Sequence, residues 1–206
     1  MLSKQERDIL RTLSTPIKIQ DYLDSLPINF EKKGETCMSP RRVLREKKAH
    51  CMEGAMLAAL ALLLQNEKPL LLDLKTMRGD DDHVVALYKR DGRWGAISKT
   101  NHATLRFRDP IYKTVRELAA SYFHEYFLDT TGVKTLRSHS GPFILSRFGT
   151  SWITAEDDLW HIAEALDDAP HFPLFPAANT RFIRLADPME RSAGKLTEWK
   201  KRDRGT

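Results

Sequence analysis

The sequence predicts an α+β fold in which a core helix that bears a cysteine packs on an antiparallel sheet. Residues 51–65 are rich in Ala and Leu and contain no β-branched residue. They are apolar on nearly every face, which is typical of a helix inside a protein core. Further along, apolar runs at 83–89 and 93–99 are separated by Asp91-Gly92, a strong signal for a two-residue hairpin turn. The 206 residues are 41% apolar and 30% charged, a length and composition that suit one well-buried domain.

Short helices are predicted before the core helix, over residues 8–13, 17–26 and 41–48. The third of them opens with a hydroxyl cap, Ser39, followed by Pro40 at the first helical position. The chain therefore enters the core helix from a charged helix that ends only a few residues earlier.

Strands are predicted over residues 69–74, 83–89 and 93–99, with a polar loop over 75–82. Beyond them we expect an aromatic-rich helix over 112–127 and a second helix over 154–166 with Thr154 as its cap. Residues 170–176, which contain three prolines, are expected to be irregular.

The net charge of +5 is concentrated at the C-terminal end. Residues 181–206 contain eight Lys/Arg and four Asp/Glu, whereas the other 180 residues contain 25 and 24. We therefore predict a single domain over residues 1–180, followed by a basic tail over residues 181–206 that can be flexible. Nucleic-acid binding through such a tail is an unfavoured function, because a basic end is more often simply solvated.

Neither a membrane span nor an export signal is predicted. The longest uncharged apolar run is 55–64, far short of the roughly 18 residues that indicate a membrane span. The first residues are polar and include an acid, which a secretory signal does not have. Two cysteines cannot form a disulfide framework. A cytoplasmic protein without a membrane partner is expected.

Cys51 is the first candidate for chemistry, because it lies where a charged segment changes into the core helix. The free N–H groups and positive dipole end of a helix favour thiolate over thiol and supply donors for an oxyanion. Arg45, Lys47 and Lys48 are expected to act in the same sense if they lie near the sulfur. The alternative is that Cys51 is a small buried apolar residue.

His83 is the second candidate, as the general base and acid that would serve the thiol. If Asp91 and Gly92 are the turn residues, Val85 lies opposite Ser98, and alternation places His83 and Ser98 on one face of the sheet. We expect this face to pack on the cysteine helix. The alternative is an exposed histidine at a loop end.

Short phrases around these residues occur in an order that resembles the transglutaminase-like superfamily, whose fold is related to that of the papain-like cysteine proteinases. They are Cys51-Met-Glu-Gly-Ala, Asp82-His83-Val-Val-Ala and Trp94-Gly-Ala-Ile-Ser98-Lys-Thr100. Their separations, 32 residues from Cys51 to His83 and 15 from His83 to Ser98, are similar to those of compact bacterial members. The resemblance covers residues 37–105. It implies a catalytic triad and a covalent thioester at Cys51.

The third position departs from the family, which has Asp, sometimes Asn, where this chain has Ser98. A serine hydroxyl can accept the imidazole N–H and fix its tautomer, but it cannot supply the charge that stabilises imidazolium. Asn101 could take the role if the strand bends after Lys99. A weakened or inactive binding module on the same fold is therefore the alternative to an enzyme.

The resemblance implies a hydrolase or acyltransferase that acts on a protein, a peptide or a small amide, with either water or an amine as acceptor. No cofactor is expected. A metal site at Asp80, Asp81, Asp82 and His83 is not favoured, because adjacent residues of one segment do not converge on an ion. Oligomeric state cannot be read from the sequence.

Overall fold

The computed structural model describes residues 2–200, within which the strands form one antiparallel sheet. They are β1 (Leu70–Thr76), β2 (His83–Arg90), β3 (Arg93–Ser98), β4 (Arg108–Tyr112), β5 (Leu136–Ser140), β6 (Phe143–Ile144) and β7 (His171–Pro173). The order across the sheet is β4-β3-β2-β1-β5-β7, and β6 pairs with β1 beside β5. The predicted α+β class is therefore confirmed.

Helices cover both faces and one end of this sheet. They are α1 (Lys4–Thr12), α2 (Pro16–Ser25), α3 (Pro40–Glu46), α4 (Cys51–Leu63), α5 (Val115–Ser121), α6 (Trp160–Asp167) and α7 (Pro188–Gly194). The predictions for α1 to α4 are confirmed, including Ser39 as the cap of α3 and Cys51 as the first residue of α4. Within residues 2–200, no helix combines the length and apolar character that crossing a bilayer requires.

The hairpin prediction is also confirmed. Asp91 and Gly92 both have positive φ, 46° and 77°, as a two-residue turn of the favoured twist requires. Val85 pairs with Ser98 in the β2–β3 ladder. This register places His83 and Ser98 close together at the end of the hairpin that lies away from the turn.

The sheet separates two apolar clusters, and this arrangement corrects one expectation. Helix α4 packs against the face that carries Val84, Ala86 and Ile97. The face shared by Val85, Leu87 and Ala96 packs against α5 instead. The expectation that this second face meets the cysteine helix is wrong, because β2 is apolar on both sides and its pattern does not say which helix covers which. His83 approaches α4 at the end of the sheet, as the first residue of β2.

The helix predicted over 112–127 is shorter than expected. Only Val115–Ser121 forms α5, and Phe123–Glu125 adds one 3₁₀ turn. Tyr112 is instead the last residue of β4, which contains Pro110. Because β4 is an edge strand, a proline there removes no ladder hydrogen bond that the sheet needs.

Two predictions near the C-terminal end are wrong. The helix predicted from Thr154 begins at Trp160, and Thr154 does not cap it. The segment before it is held elsewhere, because the Asp158 carboxylate accepts hydrogen bonds from the Cys37 N–H and from Arg42. Residues 170–176, expected to be irregular, include β7, whose pairing with β5 at the sheet edge tolerates its terminal proline.

The described part of the basic C-terminal segment, residues 181–200, lies against the body of the protein. Arg191 donates to the Asp129 and Thr130 carbonyls. The Asn101 carbonyl accepts from the Glu198 N–H at 2.9 Å. The segment therefore forms one wall of the region around Asn101, and residues 201–206 of the predicted tail lie outside the described residues.

Gly54 in the second turn of α4 allows this helix to pass close to the end of β3. A β-carbon at Gly54 would lie 2.5 Å from the Lys99 Cβ. We expect Gly54→Ala to lower the free energy of unfolding by about 1–3 kcal/mol, although alanine is otherwise the better helix former. The measurement is urea unfolding followed by circular dichroism.

Gly141→Ala is the matched control for this substitution. A β-carbon there would meet only the Phe172 ring, at an ordinary 3.7 Å, and should change stability by no more than about 0.5 kcal/mol. A Gly54→Ala protein as stable as the control would contradict the close approach.

Candidate active site

Cys51 lies at the end of a cavity of about 450 Å³, and His50, His83 and Asn101 also line this cavity. The cysteine is the first residue of α4 and stays partly exposed. Its backbone N–H belongs to the first turn of the helix, where no carbonyl within the helix can accept it. The sulfur thus belongs to a residue whose backbone donor is not used within the helix.

His83 contacts Cys51 and is fixed from behind by Ser98. Its Nε2 lies 2.8 Å from the Ser98 Oγ. Because the Ser98 hydroxyl donates its proton to the Leu105 carbonyl at 2.6 Å, it must accept from the Nε2–H. This leaves Nδ1 for the hydrogen bond with Cys51. The structure therefore brings together three of the predicted residues, Cys51, His83 and Ser98.

Ser98 is held by residues on both sides, although it is the last residue of its strand. The Gln20 side chain brackets its backbone, donating to the Ser98 carbonyl at 2.8 Å and accepting from the Ser98 N–H at 2.9 Å. Leu105 adopts a left-handed backbone (φ 61°), and its N–H donates to Glu125 at 2.9 Å. Such a backbone is uncommon for a bulky residue. Here it presents the carbonyl that receives the Ser98 proton.

A second imidazole, that of His50, also contacts Cys51. His50 immediately precedes α4, and its Nε2 lies 2.8 Å from the Thr36 carbonyl, to which it donates. The other ring nitrogen is therefore available for the hydrogen bond that His50 makes with Cys51. The sulfur lies between two imidazoles on different elements.

Glu53 lies behind His50 and is fully buried, with 0% exposure. One of its oxygens is 3.4 Å from the His50 Nε2, and the other accepts from the His50 backbone N–H at 3.0 Å. The remaining donors to the carboxylate are the Asn29 amide, the Thr36 hydroxyl and the Met38 N–H. A buried carboxylate requires such a complete set of partners.

The two imidazoles determine the ionisation of the thiol. Burial raises the pKa of Cys51, but hydrogen bonds and charge interactions with His50 and His83 outweigh it and lower the pKa to about 5. Burial lowers the pKa of His50, but its contacts with Cys51 and the charge of Glu53 outweigh that effect and raise the pKa to about 9. At neutral pH these two residues form a thiolate and an imidazolium.

Arg45, Lys47 and Lys48, at the end of the preceding helix and just after it, were expected to stabilise the thiolate if they lie near the sulfur. Arg45 is paired with Glu156 at 2.8 Å, and Lys48 lies 3.6 Å from Glu46. The positive charge that acts on the sulfur is that of the imidazoles.

Cys37, the other cysteine, differs from Cys51 in every respect that matters for reactivity. It is 1% exposed, and burial together with the charges of Glu53 and Asp158 raises the pKa of its thiol to about 12. It is an internal control for experiments on Cys51.

Asn101 does not take the third position. Its side-chain amide donates to the Trp199 carbonyl at 2.9 Å and accepts from the Trp199 N–H at 2.8 Å. It lines the cavity but is committed to the C-terminal segment. Two of the three aspartates before His83 are also engaged elsewhere, since Asp82 accepts from Thr76 and Asp80 accepts from Thr135.

Carboxylates that could hold a metal occur beside this site, in a cluster of Asp73, Asp82 and Asp167. Side chains of the protein already contact each of them, because His171 lies 3.0 Å from Asp73, Lys75 pairs with Asp167, and Asp82 accepts from Thr76. Burial and the charge of Asp82 raise the pKa of Asp73 to about 6 despite the contact with His171. We assign no metal to this cluster.

The sequence prediction missed His50 and Glu53, although one signal was present. Glu53 is the single acid in a helix that is otherwise apolar on every face. A charge in a buried helix requires partners, and a histidine three residues earlier is within reach of it.

Neither a scan against protein-family models nor a search of curated proteins finds a match to this chain. Membership of the transglutaminase-like superfamily therefore stays a prediction from short phrases and their order.

Ser98→Ala tests the support of His83. The buried Nε2–H would lose its acceptor, which we expect to cost about 1–3 kcal/mol of stability. We expect the Nε2-bound proton of His83 to be visible in ¹H–¹⁵N spectra of the unmodified protein, because Ser98 accepts it, and to become invisible in Ser98→Ala.

Asn101→Ala is the comparison variant, since Asn101 makes its side-chain hydrogen bonds with Trp199. The His83 signal should persist in this protein. Loss of the signal in Asn101→Ala and its retention in Ser98→Ala would reverse the assignment of the third residue.

Proposed function

We propose that the protein is a thiol-dependent enzyme of the transglutaminase-like type, which transfers or hydrolyses acyl groups through a covalent thioester at Cys51. The observation that supports this proposal is the geometry around one sulfur. Cys51 lies at a helix start, and it contacts an imidazole whose far nitrogen is fixed by Ser98. Nucleophile, base and orienting group in this arrangement are the parts of a thiol acyltransferase.

In the acylation step, the Cys51 thiolate attacks the carbonyl carbon of an amide or ester. The carbonyl oxygen gains the negative charge, and the Cys51 backbone N–H is positioned to donate to it. His83, carrying a proton on each ring nitrogen, transfers the Nδ1 proton to the leaving amine or alcohol as the carbonyl–heteroatom bond breaks. The acyl group is then held as a thioester, and His83 is neutral with its Nε2–H on Ser98.

In the second step, water or an amine attacks the thioester. The attacking group loses its proton to the His83 Nδ1, and the carbon–sulfur bond breaks to release the Cys51 thiolate. The imidazolium and thiolate are restored, so one cycle consumes no cofactor. Water gives hydrolysis, and an amine gives acyl transfer.

The charges of the cavity favour a cationic substrate. Within residues 2–200, no cation lies within ion-pair distance of the Asp81 or Asp129 carboxylates, and both residues line the cavity. Lys99 also lines it, but its ammonium donates to carbonyls at the end of α2. An amide or peptide that carries Lys, Arg or another amine beside the scissile bond therefore fits best.

We place the reaction in the cytoplasm, where a reducing environment preserves the free thiols of both cysteines.

The second candidate is a binding module on the same fold without chemistry. The neutral Ser98 favours it, since serine adds no charge behind His83. A substrate screen separates it from the enzyme.

The test of the enzyme is a screen of aryl esters, amides and peptides, followed by intact mass spectrometry. We expect an acyl adduct on Cys51. Turnover should fall at least about a thousandfold in Cys51→Ser, because hydroxyl ionisation lies out of reach of these imidazoles.

Cys37→Ser is the matched control, and it should retain both adduct and turnover because its sulfur is buried away from the cavity. If no adduct forms with any member of the screen while substrates still bind in the cavity, the binding module is correct.

The charge preference has its own test. Among peptides that differ only in Lys or Glu beside the scissile bond, kcat/KM should be higher for Lys by about tenfold, the effect of two carboxylates at roughly 1 kcal/mol or less each. Asp81→Asn combined with Asp129→Asn should remove most of this preference. Faster turnover of the Glu peptide would contradict it.

A further inference from the structure

We propose that the two imidazoles beside Cys51 have different roles. His50, with the buried carboxylate of Glu53 behind it, is a permanently protonated partner of the sulfur. His83, with the neutral Ser98 behind it, is the imidazole that gives and takes protons. The role of His83 rests on the proposed function, whereas the role of His50 does not.

The first argument is the charge behind each ring. Glu53 is 0% exposed and lies 3.4 Å from the His50 Nε2, so a proton on His50 balances a buried negative charge. Ser98 offers His83 only an oxygen lone pair, because its own proton is committed to the Leu105 carbonyl. Loss of the proton from His50 would leave the buried Glu53 charge without its neighbouring cation, whereas no such buried charge lies behind His83.

The second argument is the way each ring is held. The His50 Nε2 donates to the Thr36 carbonyl at 2.8 Å, and the His50 backbone N–H donates to Glu53 at 3.0 Å. A residue held at its ring nitrogen and at its backbone N–H suits a stationary positive charge. His83 begins a strand at the opposite side of the sulfur, and only Ser98 holds its far nitrogen.

Other charged or titratable groups around these residues do not change this assignment. On the His50 side, Glu31 lies 3.8 Å from Nε2 and adds to the negative charge there. On the sulfur side, the Tyr126 hydroxyl donates to the Asp81 carbonyl, Asp82 accepts from Thr76, and Cys37 is a buried thiol. His50 and His83 are thus the groups that lower the pKa of Cys51.

One consequence distinguishes this site from a thiol served by a single imidazole. Where one imidazole both stabilises the thiolate and transfers the proton, its removal abolishes the thiolate and the proton transfer together. Here the thiolate should survive removal of His83, because His50 still holds it. Removal of His50 should raise the pKa of the thiol more than removal of His83 does, since the Glu53 charge would then act on the sulfur without an intervening cation.

The experiment titrates the thiol without any substrate, by absorbance at 240 nm and by the rate of iodoacetamide alkylation from pH 4 to 10, with peptide mapping to identify Cys51. We expect His83→Gln to keep the thiol pKa below about 7, and His50→Gln to raise it to the ordinary value of about 8.5 or above. At pH 6.5 the alkylation rate of Cys51 in His50→Gln should therefore be at least about tenfold lower than in the unmodified protein. Glu53→Gln should lower the pH at which His50 loses its proton, as seen by ¹⁵N spectra.

A second measurement needs no substitution. Carboxamidomethylation of Cys51 gives a neutral sulfur that mimics the thioester. At pH 7 the ¹⁵N spectrum should show His50 protonated on both nitrogens before and after alkylation.

The proposal is overturned if His50 loses its proton on alkylation, or if His83→Gln loses the thiolate while His50→Gln keeps it. Both readouts are independent of turnover. A protein that shows them but forms no acyl adduct would contradict the proposed function and leave the role of His50 intact.

Discussion

The charge of Glu53 is the constraint on which the surroundings of Cys51 depend. A carboxylate with no exposure to water cannot remain in a helix of Ala and Leu unless every oxygen lone pair meets a donor. The donors come from the segment between α2 and α3, through Asn29, Thr36 and Met38, and from His50 at the start of α4. The same carboxylate therefore fixes the conformation of that segment, orients His50 and places a cation beside the sulfur.

The opposite side of the site is fixed by the end of the β2–β3 hairpin. Gln20 on α2 continues the hydrogen bonding of Ser98 where the strand ladder stops, and the buried ammonium of Lys99 donates to carbonyls at the end of α2. Because Gly54 has no side chain, α4 can lie against Lys99. Helix α2, the end of the β2–β3 hairpin and the core helix α4 thus meet within a few residues of Cys51. The positions of His83 and Ser98 therefore depend on the packing of α2.

Local signals were sufficient to predict the elements and part of the site. An Ala/Leu run predicted α4, and Asp-Gly between two apolar runs predicted the register that brings Ser98 to His83. Contacts between distant segments could not be predicted. They include the choice of face that α4 covers, since β2 is apolar on both sides, and the packing of residues 181–200 on Asn101, since a charged segment carries no pattern of burial. His50 and Glu53 could be predicted only in part. An isolated acid in a buried helix predicts that it has partners but does not identify which residues they are.

Ser98 stands where the predicted family would have an aspartate, and the difference is a matter of where the negative charge lies. An aspartate on the strand would stabilise the imidazolium of His83 directly. In this chain the strand position is neutral and still orients the ring, while a carboxylate on the helix supports a second imidazole at the same sulfur. Both arrangements place one buried carboxylate behind an imidazole that contacts the thiolate. A serine at the third position is therefore compatible with a reactive cysteine when the helix supplies the charge.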